Sequence, residues 1–244
     1  MDVGEPDAGE PDAGEPDAAA ALELLATTRA VRRYGDEAID DGDLSRMLFA
    51  ATRAPSGSNR QPFRFLVLRQ DPVAVQAREL LGGAARAMWA AKRERDGYDR
   101  GSGADPGSPK ARTAVTMQHF VDHFEQIPVI VLAAAVRHRP PPEETLGASV
   151  YPACQNLLLA ARALGYGGVM MMWHALVDAE LRALFGIPDD VFLAATITLG
   201  RPVGGVGPVR RRPLQEFVYE GAWGTTPAWL EEPGDAAHTS VFRG

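Results

Sequence analysis

Cysteine is almost absent from this chain, whose 244 residues include only Cys154. A single cysteine cannot form an intramolecular disulfide, which excludes the disulfide-stapled class of secreted domains and favours a reducing, cytoplasmic location. No apolar run approaches the roughly 20 residues that a membrane-spanning helix needs. The N-terminal residues also lack the basic segment and apolar core of a signal peptide. We therefore expect a soluble protein without a membrane partner.

Basic residues are missing from the first part of the chain. Residues 2–17 contain seven acids and no base, within three tandem copies of G-E-P-D-A that span residues 4–18. Without those seven, the 32 acids fall to 25 and equal the 25 lysines and arginines. This balance disfavours a nucleic-acid partner. Because its prolines and like charges oppose folding, we expect residues 1–18 to form a disordered acidic tail.

Several catalytic and metal-binding motifs are also absent. The chain has no G-x-S-x-G elbow, no P-loop and no well-placed G-x-G-x-x-G, so a covalent hydrolase, a nucleoside triphosphatase and a Rossmann dehydrogenase are unsupported. His119 and His123 are four residues apart, but H-F-V-D-H is not the zinc-protease motif and no third ligand stands out. No metal site is expected. Cys154 lies in an apolar helical stripe, which favours a buried structural role over a nucleophile.

Apolar periodicity predicts a sheet covered by helices on both faces. Residues 96–109 are too rich in Gly, Pro and Asp to pack, which is typical of a mobile lid or a disordered loop. Residues 225–244 carry two prolines and scattered acids and are expected to form a loosely held tail, leaving residues 19–224 as the folded domain. Strands are predicted at 63–68, 128–136, 167–173 and 191–199, and helices at 18–26, from Asp40 or Asp41 to Pro55, 71–81, 84–93, 111–125 with Val115, Phe120 and Phe124 on its apolar side, 147–164 and 178–185.

The densest turn chemistry lies at residues 54–65, A-P-S-G-S-N-R-Q-P-F-R-F. Pro55 and Pro62 each fix a backbone angle, Gly57 frees one, and the adjacent serines and asparagine can bond to their own backbone or to a ligand. The apolar strand that follows makes this a polar loop on a rigid support, which suits a binding site. Most such loops, however, only turn the chain.

Arginines gather in two distant segments, T-T-R-A-V-R-R-Y at residues 27–34 and P-V-R-R-R-P-L at residues 208–214. If the first segment is extended, Arg29 and Arg33 share one face while Arg32 points away. If the segment turns, all three could converge on one anion. Taken alone, such arginines are more often solvated than ligand-bound.

Together these three stretches resemble the FMN-dependent nitroreductase family, and the resemblance covers residues 22–223. It implies an α+β, three-layer fold with a central mixed sheet flanked by helices, and a homodimer with two sites at its interface. Arg29, Arg32 and Arg211 fall at the family's phosphate-binding positions. Arg33, Arg210 and Arg212 are either helpers at the phosphate or solvated neighbours. The family often has an arginine and a serine where this chain has Thr28 and Ala30, so one phosphate contact and one hydroxyl are lost.

The resemblance also implies which residues surround the flavin ring. The loop of Ser56 to Asn59 would reach the flavin of the neighbouring subunit, with Gln61 and Pro62 fixing its shape. The methionines at 170–172 would run beside the ring, although core filling explains them equally well. The predicted FMN-binding residues are Arg29, Ala30, Val31, Arg32, Arg33, Pro55, Ser56, Gly57, Ser58, Asn59, Gln61, Met170, Met171, Met172 and Arg211.

The implied chemistry belongs to the cofactor. NADH or NADPH would pass hydride to the flavin, and a small electron-poor acceptor such as a nitroaromatic or quinone would take the electrons, so no protein acid, base or nucleophile is required. Two alternatives remain open: a flavin enzyme of the same fold with another chemistry (dehalogenase, flavin-fragmenting enzyme or dehydrogenase), and a non-catalytic flavin-binding protein. Polyanion binding by the arginines is disfavoured by the neutral core.

Overall fold

The computed structural model describes residues 17–137, 143–205 and 207–234. Within them, four strands form one sheet in the order β1-β2-β4-β3. Every neighbouring pair is antiparallel, so the expected mixed sheet is wrong. The connection between β1 and β2 contains helices but returns to the end of the sheet that it left, so it behaves as a long hairpin rather than a crossover. The strands are β1 (Phe63–Leu68), β2 (Val129–Val136), β3 (Gly167–Met171) and β4 (Val191–Gly200).

One face of the sheet is covered by α2 (Asp41–Ala51) and α5 (Glu143–Ala163). Asp40 caps α2 by accepting bonds from two backbone N–H groups of its first turn. The apolar stripe predicted for α5 is buried, and Cys154 lies within it with no exposed surface. Burial raises the pKa of the Cys154 thiol to about 12, so it is a structural residue rather than a nucleophile.

The other face is covered by α3 (Pro72–Arg95), α4 (Pro109–Asp122) and α6 (Asp178–Phe185). The two helices predicted at 71–81 and 84–93 are one helix, α3. Gly82 permits this packing because a Cβ there would lie 2.0 Å from Oε1 of Glu125, whereas Gly83 faces open space. Gly82 therefore lies at a close approach to Glu125, and neither glycine breaks the helix. The three-layer arrangement itself is as expected.

Two predictions for residues 96–125 need correction. Val115 is 61% exposed rather than on the apolar side, because the buried face of α4 is formed by Met117, Phe120 and Val121. The segment expected not to pack does pack: the Tyr98 ring lies 5.0 Å from that of Trp89, and Ser108 is buried and caps α4. Its turns are rich in glycine, yet aromatic contact and a cap hold them in place.

At its N-terminal end, the described part of the chain begins with a capped helix. Asp17 caps α1 (Ala18–Thr27), close to the helix predicted at 18–26. Residues 1–16, which contain most of the acidic repeat, and the last residues, 235–244, lie outside the described residues. Pro227, in the expected C-terminal tail, is buried. Strand β3 ends at Met171, and Trp173–Val177 continue as a 3-10 turn rather than as strand. Among the described helices, none combines the length and the apolarity needed to cross a bilayer.

A buried arginine joins three segments at one end of the sheet. The Arg78 side chain is 1% exposed, and its guanidinium donates to the carbonyl oxygens of Leu68 (2.8 Å), Ile127 (2.6 Å), Glu125 (3.1 Å) and Pro128 (3.1 Å). These carbonyls belong to the end of β1 and to the turn before β2. Arg78 therefore satisfies backbone groups that the sheet leaves unpaired there.

Candidate functional site

The first arginine segment is fixed against strand β3. The Val31 N–H donates to the Gly168 carbonyl at 2.9 Å, and Ala30 forms a parallel bridge with Gly168. A Cβ on Gly168 would lie 2.3 Å from the carbonyl oxygen of Thr198, so only glycine fits there. The Tyr34 hydroxyl lies 2.5 Å from the Val31 carbonyl and 2.8 Å from Oγ1 of Thr198. These contacts fix the backbone from which Arg29 and Arg32 extend.

The second arginine segment joins the first at the end of α1. The Val209 N–H donates to the Ala26 carbonyl at 2.9 Å, which places residues 207–211 beside Arg29. Between the two segments lies a cavity of about 760 Å³. We call it the arginine cavity, because five arginines line it together with Ala30, Gly207, Pro208 and Val209; they are Arg29, Arg32, Arg112, Arg210 and Arg211.

The arginine cavity is strongly cationic. None of its lining residues is acidic, and none of its five arginines forms an ion pair within the part of the chain that the structure describes. The pKa of Arg32 is lowered, chiefly by burial and further by repulsion from Arg29. A bound anion would relieve both effects, so the cavity suits a phosphate.

The predicted phosphate residues are partly brought together. Arg29, Arg32 and Arg211 line one cavity, but Arg33 does not, so only two of the three arginines that the turning alternative joined face it. The Val31 side chain is 9% exposed and packs near Gly167, and its N–H is already bonded, so Val31 supports the segment rather than contacting a ligand. Arg112 was missed, because it lies on α4 outside any motif and nothing in the sequence places it beside the two segments.

The loop at residues 55–61 is strained. Ser58, Asn59 and Gln61 have φ of 52°, 50° and 48°, and they are the only non-glycine residues with positive φ in the described ranges. Such angles cost a non-glycine residue about 1 kcal/mol each and cluster at functional sites. Ser56 Oγ accepts from the Gln61 N–H at 2.9 Å. Gln61 Nε2 donates to Asn59 Oδ1 at 3.1 Å, so the loop holds its own shape.

This strained loop is far from the arginine cavity of the same chain. Phe63 at the start of β1 is level with Phe192 in β4, whereas Gly167 at the start of β3 pairs with Gly200. Eight residues along a strand correspond to about 26 Å and three strand spacings to about 14 Å, so the two places are roughly 30 Å apart. They lie at opposite corners of the sheet.

The three predicted methionines do not share one surface. Met170 is partly buried against the α5 side of the sheet, and Met171 is 8% exposed in the core on the opposite side. Met172 lies beyond the strand and is 42% exposed. Strand alternation sends neighbouring side chains to opposite faces, so Met171 fills the core whatever the other two contact.

A buried histidine supports the turn that follows β3 and was not identified from the sequence. His174 is 4% exposed, with Nε2 3.1 Å from the Leu193 carbonyl and Nδ1 3.2 Å from Oγ1 of Thr196. A carbonyl can only accept, so Nε2 carries the proton and Nδ1 accepts from the hydroxyl. Burial lowers the pKa of His174, and the ring is therefore neutral.

The histidine pair on α4 forms a different arrangement. The rings of His119 and His123 stack with centroids 4.1 Å apart, and Nδ1 of His123 lies 2.8 Å from the His119 carbonyl. In the described portions of the chain, no three or more His, Cys, Asp or Glu residues come together as a set that could hold a metal ion.

Comparison with known proteins shows which family this chain resembles in sequence and in fold. The family model described as the Nitroreductase family matches residues 25–201. A protein of Archaeoglobus fulgidus, named as a candidate NADH dehydrogenase/NAD(P)H nitroreductase, is 30% identical over 186 residues, covering 74% of this chain and 84% of that protein. An NADH dehydrogenase of Thermus thermophilus is 31% identical over 199 residues, covering 78% and 90%. A nitroreductase-type protein of Desulfovibrio desulfuricans, solved in complex with FMN, has a TM-score of 0.60 and 29% identity, covering 83% and 96%.

Proposed function

This chain belongs to the nitroreductase family, and we propose that it is an FMN-dependent oxidoreductase that uses NAD(P)H to reduce an electron-poor acceptor of the nitroaromatic or quinone type. When bound, FMN supplies the redox chemistry, accepting hydride from the nicotinamide and delivering electrons to the acceptor. The observation that carries this proposal is the arginine cavity. Its cationic lining and its anchoring beside β3 fit a cofactor that ends in a phosphate.

Arg29, Arg32 and Arg211 would hold that phosphate. Their planar guanidinium groups can each donate two bonds to phosphate oxygens, and Arg32 is already half-buried. The Ala30–Gly168 bridge sets the arginine segment directly against β3, where Met170 is the partly buried methionine. We expect the flavin ring to lie beyond the cavity along this strand, with Met170 and the backbone of β3 excluding water from one side.

The remaining part of the site would come from a second copy of the chain. One FMN cannot extend over the roughly 30 Å that separates the arginine cavity from the strained loop. Beside that loop, an open groove of about 840 Å³ is lined by Gln61 and by the apolar side chains of Leu48, Phe49 and Phe65. Phe49 is 63% exposed, which suits burial against another subunit. We infer a homodimer in which each loop closes over the flavin held by its partner.

Flavin release tests the proposal at the arginine cavity. Purified protein should be yellow, and heating should release FMN, identified by chromatography. Arg211→Ala should lower the FMN content, because a charge-assisted contact to phosphate is lost. Arg212→Ala is the matched control, since Arg212 is adjacent but pairs with Glu216 at 3.0 Å and does not line the cavity. Equal FMN retention in both variants would refute the assignment.

Subunit mixing tests the shared site. A chain with Arg211→Ala and a chain with Asn59→Ala should each have low activity alone. In a mixed dimer, one site receives both defects while the other combines intact arginines with an intact loop, so mixing should restore part of the activity. No recovery, despite proven subunit exchange, would show that each site is built within one chain.

Acceptor assays test the chemistry. Nitroaromatics, quinones and halophenols should be offered with NADH or NADPH, and the proposal expects turnover with the first two classes. Turnover confined to halophenols would indicate a dehalogenase. A bound flavin that NAD(P)H does not bleach under anaerobic conditions would indicate a non-catalytic carrier.

A further inference from the structure

The arginine cavity holds more positive charge than one cofactor phosphate can neutralise. Five guanidinium groups line it, and no acid does. A phosphate monoester carries a charge of about −1.5 to −2 near neutral pH. With FMN bound, roughly three positive charges would therefore remain together in one cavity. Like charges that line one cavity repel one another, and binding of a second anion would reduce this repulsion.

The surplus arginines differ in position from those assigned to FMN. Arg112 comes from α4, outside both arginine segments, and Arg210 directly precedes Arg211. Both are exposed, as Arg29 and Arg211 are, while Arg32 is half-buried. The Arg112 Nη1 donates to the Gly107 carbonyl at 2.6 Å, which leaves its other nitrogens available to a ligand. Two arginines that remain after the FMN phosphate has been bound suit a second anion, one that arrives from solvent and leaves after each turnover.

We propose that Arg112 and Arg210 form a second phosphate subsite that binds the 2′-phosphate of NADPH, and so make NADPH the preferred reductant. This inference rests on the proposed function, because it assumes that FMN occupies the rest of the cavity. The reductant must approach the flavin during each cycle, which brings its own phosphates near this cationic region. Arginine is the residue that accommodates the 2′-phosphate in other dinucleotide sites.

The 2′-phosphate is favoured over the pyrophosphate on grounds of charge. It is a monoester that can carry two negative charges, whereas each pyrophosphate unit carries one, so it gains most from two guanidinium groups. NADH contains the pyrophosphate but no 2′-phosphate. The subsite should therefore discriminate between the two reductants.

A double variant, Arg112→Gln with Arg210→Gln, tests the subsite in the full-length, FMN-loaded protein. We expect KM for NADPH to rise about tenfold or more, which corresponds to about 1.4 kcal/mol, while KM for NADH and the FMN content stay unchanged. Calorimetric titration supplies a readout other than activity: 2′,5′-ADP should bind the wild type and not the variant, and 5′-AMP should not distinguish them. Arg100→Gln, which removes an exposed arginine outside the cavity, should resemble the wild type.

Several results would overturn the inference. Loss of FMN from the double variant would assign both arginines to the cofactor, and equal loss of affinity for NADPH and NADH would assign them to the pyrophosphate. Equal kcat/KM for the two reductants in the wild type would also contradict it. A protein that binds no flavin would instead refute the proposed function itself, so the two failures are distinguishable.

Discussion

The arginine cavity and the strained loop are built in opposite ways. The cavity draws its charge from three distant parts of the chain and depends on a few backbone contacts, such as Val31 N–H to Gly168 and Val209 N–H to Ala26. The loop is more local: within residues 55–61, its own serine, asparagine and glutamine side chains bond around three positive φ angles. One longer-range bond, from the Gly57 N–H to Oγ of Ser149 at 3.3 Å, ties it to α5. One region stores electrostatic repulsion and the other stores backbone strain, and a ligand can relieve either.

The difference implies that the cavity loses its binding geometry when the supporting backbone moves, whereas the loop loses its conformation when its own residues are substituted. A cavity assembled across the sheet depends on positions that never contact the ligand. A loop held mainly by its own residues is less sensitive to distant changes but sensitive to any residue that carries its strain. Substitutions can test this contrast.

The largest effect is expected at Gly168. Gly168→Ala would place a Cβ 2.3 Å from the Thr198 carbonyl oxygen and displace the strand that anchors Val31. We expect the free energy of unfolding to fall by about 3 kcal/mol, with loss of bound FMN. Denaturant titration and flavin content measure the two outcomes.

Gly83→Ala is the control for Gly168→Ala, because Gly83 faces open space within α3. It should raise the free energy of unfolding by up to about 1 kcal/mol, since alanine favours a helix over glycine. If Gly168→Ala were as stable as the wild type, the contact that anchors the cavity would not be essential.

A smaller effect of opposite sign is expected at Ser58. Ser58→Gly removes a φ of 52° from a residue with a Cβ. Removal of the backbone strain should stabilise the folded state by about 1 kcal/mol. The greater conformational entropy of glycine should stabilise the unfolded chain by about 0.5 kcal/mol, so the free energy of unfolding should increase slightly. Turnover should fall, because the loop loses its fixed shape. Ser58→Ala keeps the strain and tests the hydroxyl alone; a loss of stability in Ser58→Gly would contradict the argument.

The smallest effect concerns pH and the turn after β3. The pKa of His174 is lowered in the fold, so the unfolded chain takes up its proton first as pH falls. The neutral His174 ring contributes fully to the free energy of unfolding above about pH 6.5. Below that pH the free energy of unfolding falls by up to about 1.4 kcal/mol per pH unit. His174→Gln should therefore flatten the acid side of the stability profile, measured by urea titration between about pH 7 and pH 5. An unchanged slope would contradict the neutral buried ring.

Local features of this structure could be predicted from the sequence. Strand Phe63–Leu68 and helix Asp178–Phe185 have their predicted bounds. In both, the signals are adjacent to the element: Pro62 and a continuous apolar run for the strand, and Gly186 with a φ of 63° for the end of the helix. The loop between Pro55 and Pro62 was identified for the same reason. Its three positive φ angles were not, because Ser58, Asn59 and Gln61 adopt other angles more readily.

Nonlocal features were not predictable from one sequence. The strand directions depend on which end of the sheet each connection returns to, and composition does not encode this. Arg112 enters the arginine cavity only because α4 packs beside residues 29–34, and His174 is identifiable only once β4 places Leu193 and Thr196 around it. The helices predicted at 71–81 and 84–93 form one helix, and the close approach of Gly82 to Glu125, more than 40 residues away, is not visible in the sequence.

The Arg78 side chain gives the two ends of the sheet different responses to acid. Its guanidinium keeps its proton at any pH at which the protein folds, so the four carbonyls around the end of β1 stay bridged. At the far end, by Leu193, the neutral His174 must give up its geometry once it gains a proton. At acidic pH, the hydrogen bonds at the His174 end of the sheet should therefore break before those at the Arg78 end.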